Sequence, residues 1–542
     1  MEVFYAGLFG VAAILAAVLE YGNRAGRNAP GNSTREFTIF RNNYLLVYSL
    51  MMAGDWLQGP YVYALYQYYG FERGDIGKLF IAGFGSSMVF GTIVGSLADK
   101  HGRKRAALTY CICYGVGCFT KHFNNFWVLA AGRVLCGIAT SLLFSAFESW
   151  LVAEHFKRGY AADWLGNTFS QAVFLGNGLM AIMSGLVAHT LVETVAWGPV
   201  APFDAAAVVL AVGGVIIATS WSENYGDASG DSSAVEGFKK AGALIWREPK
   251  IALLGAMQSL FEGSMYTFVF LWTPALSPQG ERIPHGMIFA CFMVSSMVGS
   301  AVAGKLLANN SKFKVERYMQ LVFGLSACCL FVPVLYHQTS TKDVAPGAEE
   351  AGGITFDGKV QLVAFCLFEV LVGIFWPSMM TMRSAYVPEE MRSTIINFFR
   401  IPLNLFVCVV LYNVSAIGLG LTFSMSAMLM VAATVSCWHF YQLTVVVPLL
   451  KAQRQRQRQP PLAAHPSPQQ PTLAAHRQSV AAVGLAQAVP AAAAAVELQQ
   501  RALAAAADGS VAVVVRSPRG SGEKGSHTPR RQGGPGTRLA FS

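Results

Sequence analysis

Residues 95–105 read Gly-Ser-Leu-Ala-Asp-Lys-His-Gly-Arg-Lys-Arg and hold two glycines, one acid and four cations. Apolar runs near residues 76–98 and 106–120 flank this basic stretch. Each run is about long enough to cross a bilayer as a helix, at about 1.5 Å of rise per residue. A short basic turn between two such helices is typical of a cytoplasmic loop. The stretch therefore predicts a chain that crosses a membrane repeatedly.

The composition indicates a polytopic membrane protein and excludes a soluble one. Of the 542 residues 54% are hydrophobic and 13% charged, and the mean hydropathy is +0.42. The net charge of +10 does not indicate nucleic-acid binding, because twelve cations and three acids from Lys451 onward place +9 in the tail. The ten cysteines lie in apolar segments without metal-ligand spacing, and no hydrolase, kinase or metalloprotease motif is present. We expect no enzyme, metal, cofactor or nucleic-acid partner.

The apolar runs predict an all-α polytopic membrane protein with two six-helix halves and one extra N-terminal helix. The predicted domains are an anchor helix and cytoplasmic linker (1–42), a first half (43–222), a linker (223–249), a second half (250–450) and a disordered cytoplasmic tail (451–542). The twelve predicted spans lie near 43–69, 76–98, 104–122, 125–150, 163–191, 203–222, 250–275, 285–308, 316–337, 360–382, 394–417 and 419–448.

Cations collect in alternate loops, and the positive-inside rule places those loops in the cytoplasm. One side holds the basic stretch 95–105, the linker cations and the tail, whereas the other holds five isolated cations. The twelve core spans then begin and end in the cytoplasm. The extra first helix places the N-terminus outside.

Short internal matches indicate a duplicated six-helix unit. The run Ser-Ser-Met-Val at 86–89 recurs at 295–298. Arg133 is followed by Val-Leu-Cys-Gly, as Glu369 is followed by Val-Leu-Val-Gly. Asp55 in the first span corresponds to Glu262 in the seventh. Transporters built from such repeats bind substrate between the halves near the membrane midplane.

Charged residues well inside the spans are candidates for function, because each costs about 2.5–3.5 kcal/mol on insertion scales. They are Asp55, Arg133, Glu148, Glu262, Glu369 and Arg400. Arg133 and Arg400 offer bidentate donors to an oxyanion, and Asn397 and Asn404 flank Arg400. Asp55, Glu262 and Glu369 are candidate proton carriers. Glu148 is either an interfacial acid or part of the site, and Arg133 and Glu369 form either a structural pair or parts of a substrate site.

The stretch 95–105 resembles the signature loop after the second helix of major facilitator superfamily transporters. In that family Gly95, Asp99, Gly102 and Arg103 would belong to a gating loop, and spans one, four, seven and ten would line the central cavity. Further segments are similar to the molybdate-anion transporter branch: 55–61, 143–148, 198–203, 223–225, 268–274, 377–379 and 399–403. The resemblance implies uptake of molybdate, a tetrahedral dianion, by alternating access, with the lipid bilayer as the surrounding partner.

Two other functions stay open from the sequence. One is a facilitator for another solute, such as sulfate, a sugar or an organic anion, because the arginines do not choose among oxyanions. The other is a membrane receptor or scaffold that transports nothing, which the gating loop disfavours. We expect a monomer in the plasma membrane.

The topology yields a first prediction, at the glycosylation sequon Asn32-Ser33-Thr34. We expect Asn32 to stay without glycan, because the linker 1–42 ends in the cytoplasm. Treatment of the expressed protein with a glycosidase, followed by gel electrophoresis, tests this. A mobility shift that disappears in Asn32→Gln would contradict the topology.

Overall fold

The computed structural model describes residues 2–25, 34–225, 234–277, 283–307, 313–340, 355–388 and 392–450. Every regular element among these residues is helical. The sequon at Asn32 and the predicted tail 451–542 lie outside the described residues. For Gly95 and Asn397 only the backbone is described.

Seventeen α-helices make up the described part of the chain, together with short 3₁₀ and π-helical turns. They are α1 (Glu2–Ala25), α2 (Arg35–Trp56), α3 (Val62–Tyr68), α4 (Arg73–His101), α5 (Arg103–Phe119), α6 (Phe126–Leu143), α7 (Ala146–Lys157), α8 (Ala162–Val173), α9 (Ala181–His189), α10 (Ala201–Ser220), α11 (Ala234–Arg247), α12 (Pro249–Leu276), α13 (His285–Leu306), α14 (Val315–Ser340), α15 (Phe356–Tyr386), α16 (Arg392–Tyr412) and α17 (Leu419–Tyr441).

Helices occupy all twelve predicted spans, but five of the spans are not single α-helices. The third ends in the 3₁₀ turn Thr120–His122, and the twelfth contains the π-helical turn Gln442–Val446. The first divides into α2 and α3 around Pro60, whose missing N–H cannot continue a helix. The fourth divides into α6 and α7 at residues 144–145, and the fifth contains the π-helical turns Phe174–Met180 and Thr190–Thr194. Among the described residues, nine helical segments are long and apolar enough to cross a membrane.

The two halves repeat one helix contact that depends on glycine. In the first half Gly137 of α6 packs on α4 so closely that a Cβ there would lie 2.0 Å from Ser86 Oγ. In the second half a Cβ at Gly373 of α15 would lie 1.9 Å from the Ser296 carbonyl oxygen on α13. The two sequence matches thus meet at the same helix crossing in each half, where small residues permit close backbone approach.

Helix α1 packs against the second half, although it precedes the first half in the sequence. Tyr5 is buried, and the Cys291 thiol of α13 donates to its carbonyl oxygen at 3.7 Å. Near the other end, a Cβ at Gly22 would lie 3.8 Å from Lys305 Nζ. Helices α1 and α13 therefore run parallel, so that their first residues lie on the same side.

The close contact at Gly373 yields a prediction for stability. We expect Gly373→Ala to destabilise the protein by about 1–3 kcal/mol, the usual cost of overpacking, because α13 and α15 must separate. Thermal unfolding of the purified protein in detergent measures this. Gly324→Ala on α14 is the control, since its Cβ meets nothing within 4 Å. Equal melting temperatures for both variants would contradict the role of the crossing.

Candidate functional site

Asp55 lies near the end of α2 and receives a hydrogen bond from the Tyr114 hydroxyl of α5. The same hydroxyl lies 3.2 Å from Thr140 Oγ1 on α6. Arg133, also on α6, is close enough to interact electrostatically with Asp55. Three helices of the first half thus hold one acid and one cation within the predicted spans.

Arg133 is held in place while its terminal nitrogens stay unoccupied. Its guanidinium carbon lies 4.8 Å from the centre of the Phe80 ring, and its Nε donates to the Leu79 carbonyl oxygen at 3.4 Å. Gly83 leaves the space that the guanidinium fills, because a Cβ there would lie 2.8 Å from Nη2. Neither Nη atom has a hydrogen-bond partner among the described residues. The side chain is oriented by cation–π contact and can still donate to an anion.

Glu369 does not pair with Arg133. Both side chains are described, and no ion pair joins them in this part of the chain. Glu369 is buried on α15, one residue after the buried Phe368, whereas Arg133 contacts α4. The structure therefore does not bear out a structural pair between the halves.

Glu262 on α12 is the centre of a second charged cluster. It is 2% exposed, and its Oε1 atom has no hydrogen-bond partner among the described residues. Arg400 of α16 and Gln258, one turn earlier on α12, are both close enough to interact with it electrostatically. Gln258 in turn accepts a hydrogen bond from Arg383 Nη1 at 3.1 Å. Glu262 is thus a buried acid between two arginines, with one oxygen still unused.

Tyr266, one turn beyond Glu262, connects the two clusters. Its hydroxyl is close enough to interact electrostatically with Arg400, with Glu262 and with Asp55 of the other half. Its ring meets Phe84 of α4 edge to face, with centroids 5.2 Å apart. Sequence reasoning missed Tyr266, Tyr114 and Gln258 because it searched the spans only for charges.

The remaining predicted residues of the spans contribute less. Asn404 is buried, and its amide donates to the backbone oxygen of Arg400 at 2.9 Å, so this contact lies within α16. Asn397 is described in its backbone only. Glu148 is exposed at the start of α7 and interacts electrostatically with Tyr48, which also faces Asp55.

The predicted gating loop is folded tightly at the basic end of the first half. Arg103 pairs with Asp99 at 2.7 Å and donates to the Ser149 carbonyl oxygen at 3.2 Å. Glu223 accepts hydrogen bonds from the N–H groups of Lys104 at 2.8 Å and Arg105 at 3.3 Å. Its carboxylate therefore caps the N-terminus of α5, where negative charge is favourable.

Gly102 is required where α4 meets α5. Its φ of +111° lies in the region that side chains rarely adopt, and a Cβ there would lie 2.6 Å from the Glu223 carboxyl carbon. Gly95 precedes this turn within α4.

The two halves touch at the ends of the spans opposite the basic loops. A Cβ at Gly77 of α4 would lie 2.5 Å from the Leu411 carbonyl oxygen of α16, and one at Gly286 of α13 would lie 2.5 Å from the Gly185 oxygen of α9. The rings of Trp56 and Phe289 are 6.0 Å apart. If the loop charges set the topology as predicted, these contacts lie on the outer side of the molecule.

Known proteins are similar to this chain in sequence and in fold. A family model described as sugar transporters with twelve transmembrane helices matches residues 3–365. The chain belongs to the major facilitator superfamily. The molybdate-anion transporter of Xenopus laevis is 35% identical over 70% of this chain and 80% of its own. The one from Takifugu rubripes is 32% identical over 77% and 90%. These relatives are named transporters, and none of the comparisons described here indicates an enzyme.

The transporter also resembles solved structures. A D-xylose–proton symporter superposes with a TM-score of 0.57 at 11% identity, over 74% of this chain and 98% of that one. This likeness confirms the predicted all-α facilitator fold. The resemblance to the molybdate-anion branch, predicted from the signature loop and the further segments, is confirmed by the relatives.

The cap on α5 yields a prediction. We expect Glu223→Ala to lower the free energy of unfolding by about 1–2 kcal/mol, as loss of a good helix cap does. Glu72→Ala is the matched control, because Glu72 stands at the N-terminus of α4 without making a side-chain cap. Thermal melts of the two purified variants give the comparison. If Glu223→Ala were as stable as the control, the Glu223 carboxylate would not stabilise the N-terminus of α5.

Proposed function

We propose that this transporter moves molybdate into the cell across the plasma membrane by alternating access, working as a monomer. The oriented Arg133 guanidinium is the observation that carries the proposal, together with the molybdate-anion transporters among its relatives. A tetrahedral dianion needs N–H donors in a site from which water can be excluded. Arg133 offers its free terminal nitrogens from the first half, and Arg400, beside Glu262, is the candidate donor from the second.

Each cluster gives its half an acid and at least one cation, and the second cluster also contains Arg383. Arg133 stands with Asp55 in the first half, and Arg400 stands with Glu262 in the second. A dianion that binds both guanidinium groups competes with both carboxylates. Because the outer contacts are closed, the state described here receives or releases its ion on the cytoplasmic side.

Coupling of molybdate uptake to protons would explain the buried acids as proton-binding groups. Inward movement of a dianion against about 100 mV costs about 4.6 kcal/mol, at about 2.3 kcal/mol for each charge. Uptake of more than two protons with each ion reverses the sign of this electrical cost. Glu262 is the first candidate carrier, because its Oε1 atom has no partner among the described residues. Asp55 and Glu369 are the other two.

A sugar is the second candidate substrate, since the matching family model is described as sugar transporters. Uptake of labelled molybdate by proteoliposomes that contain the purified protein separates the two. We expect uptake that an inward proton gradient accelerates and that excess sulfate inhibits more than excess xylose. Sugar uptake without molybdate uptake would favour the second function. Binding of molybdate without uptake of either solute would favour a receptor.

The position of Arg133 yields a sharper prediction. In Gly83→Ala the new Cβ would lie 2.8 Å from Nη2, so the guanidinium must leave its place on Phe80. We expect the KM for molybdate to rise by about 10- to 100-fold, because a charge-assisted hydrogen bond contributes about 1.5–3 kcal/mol. Folding should be preserved, since only the tip of a flexible side chain moves.

Gly85→Ala on the same helix is the matched control, because a Cβ there meets nothing within 4 Å. Its KM should equal that of the parent protein. A normal KM in Gly83→Ala, with both variants folded, would remove Arg133 from the substrate site.

A further inference from the structure

Helix α11 lies within the predicted linker between the halves, where the sequence analysis did not predict a helix. It packs on α12 and α16 of the second half. Ala241 is fully buried, and Leu244 and Ile245 are partly buried against the core. A Cβ at Gly242 would lie 3.4 Å from the Phe398 ring. One face of α11 is therefore docked on the cytoplasmic ends of two spans.

The opposite face of α11 is basic and carries one aromatic ring. Lys239, Lys240, Trp246 and Arg247 are all exposed. At 3.6 residues per turn they lie within an arc of roughly 120°. The acid that follows, Glu248, is also exposed but lies outside this arc. The four residues form one continuous surface, which we call the basic face of α11.

Trp246 is the feature that needs an explanation. It is 91% exposed, more than any other large hydrophobic side chain in the described part of the chain. An indole gains little from full contact with water, whereas its ring and N–H suit the headgroup level of a bilayer. Lysine and arginine beside such a ring attract anionic lipid on the cytoplasmic leaflet. The position of α11 at the basic end of the spans matches that leaflet.

We propose that the basic face of α11 binds the headgroups of anionic phospholipids, with the Trp246 indole inserted at the level of those headgroups. The cations recognise the negative charge of the headgroups, and the indole ring sets how deeply α11 inserts into the bilayer surface. Because the opposite face is packed on α12 and α16, the lipid contact is made to the second half of the transporter. This surface is separate from the central clusters and does not depend on which ion is transported.

Tryptophan quenching by brominated lipid tests the proposal in nanodiscs that contain the full chain. The signal of Trp246 is the difference between the parent protein and Trp246→Phe. We expect brominated phosphatidylserine, diluted in phosphatidylcholine, to quench this difference signal several-fold more than brominated phosphatidylcholine at the same fraction. High salt should reduce the excess.

The cations are tested by a triple variant, Lys239→Gln, Lys240→Gln and Arg247→Gln. Each cation near an anionic surface contributes roughly a fivefold change in affinity, so the preference for phosphatidylserine should disappear. A matched triple variant removes Lys305, Lys314 and Arg317, which lie on the same side, and should keep the preference. Trp246→Phe with the cations intact should keep the charge preference in a lipid pull-down.

Three results would overturn the proposal. Quenching of Trp246 by aqueous iodide but by neither brominated lipid would place the basic face in water. Equal quenching by the two brominated lipids would show insertion without recognition of charge. A triple variant at 239, 240 and 247 that keeps the parent preference would also be decisive against it.

Discussion

The cost of placing charge inside a bilayer is the constraint on which the central structure depends. Three charged side chains inside the predicted spans are each met by a polar, charged or aromatic group from another helix. Asp55 receives a hydrogen bond from Tyr114, Arg133 lies on Phe80, and Glu262 stands beside Arg400. These contacts bring helices of each half together around the charges. The same contacts leave a few donors and one carboxylate oxygen unused, and those atoms are available for a substrate or a proton.

The duplication explains why the site is asymmetric although the scaffold is not. The glycine crossings at Gly137 and Gly373 are equivalent, because both halves need the same close approach of two helices. Four residues before each glycine, the first half has Arg133 and the second has Glu369. The repeat places Arg133 and Glu369 at equivalent positions in the two halves, but the charges of these two side chains are opposite. At this place in the repeat the first half therefore carries a cation and the second half an acid.

Much of the fold could be predicted from the sequence, because long apolar runs and basic loops are strong signals. The interruption near Pro60 and the helical linker α11 were missed, since a run of apolar residues hides a break and a docked helix needs only a narrow apolar face. In the site, the charged residues were found but their partners were not. Tyr114, Tyr266 and Gln258 are uncharged residues in apolar helices, and only the structure shows that they meet the acids. The pairing of Arg133 with Glu369 was left open by the sequence, and the structure does not contain it.

The contact between α1 and α13 has a consequence for biogenesis. Helix α1 is synthesised before α13, and about 260 residues separate its end from the start of α13. At about 5–20 residues per second, the ribosome takes roughly 13–50 s to cover that distance. During this interval α1 must stay in the bilayer without the surface that buries Tyr5. Helix α1 therefore reaches its final contacts only after α13 has been made, and its docking joins a helix that precedes the first half to the second half.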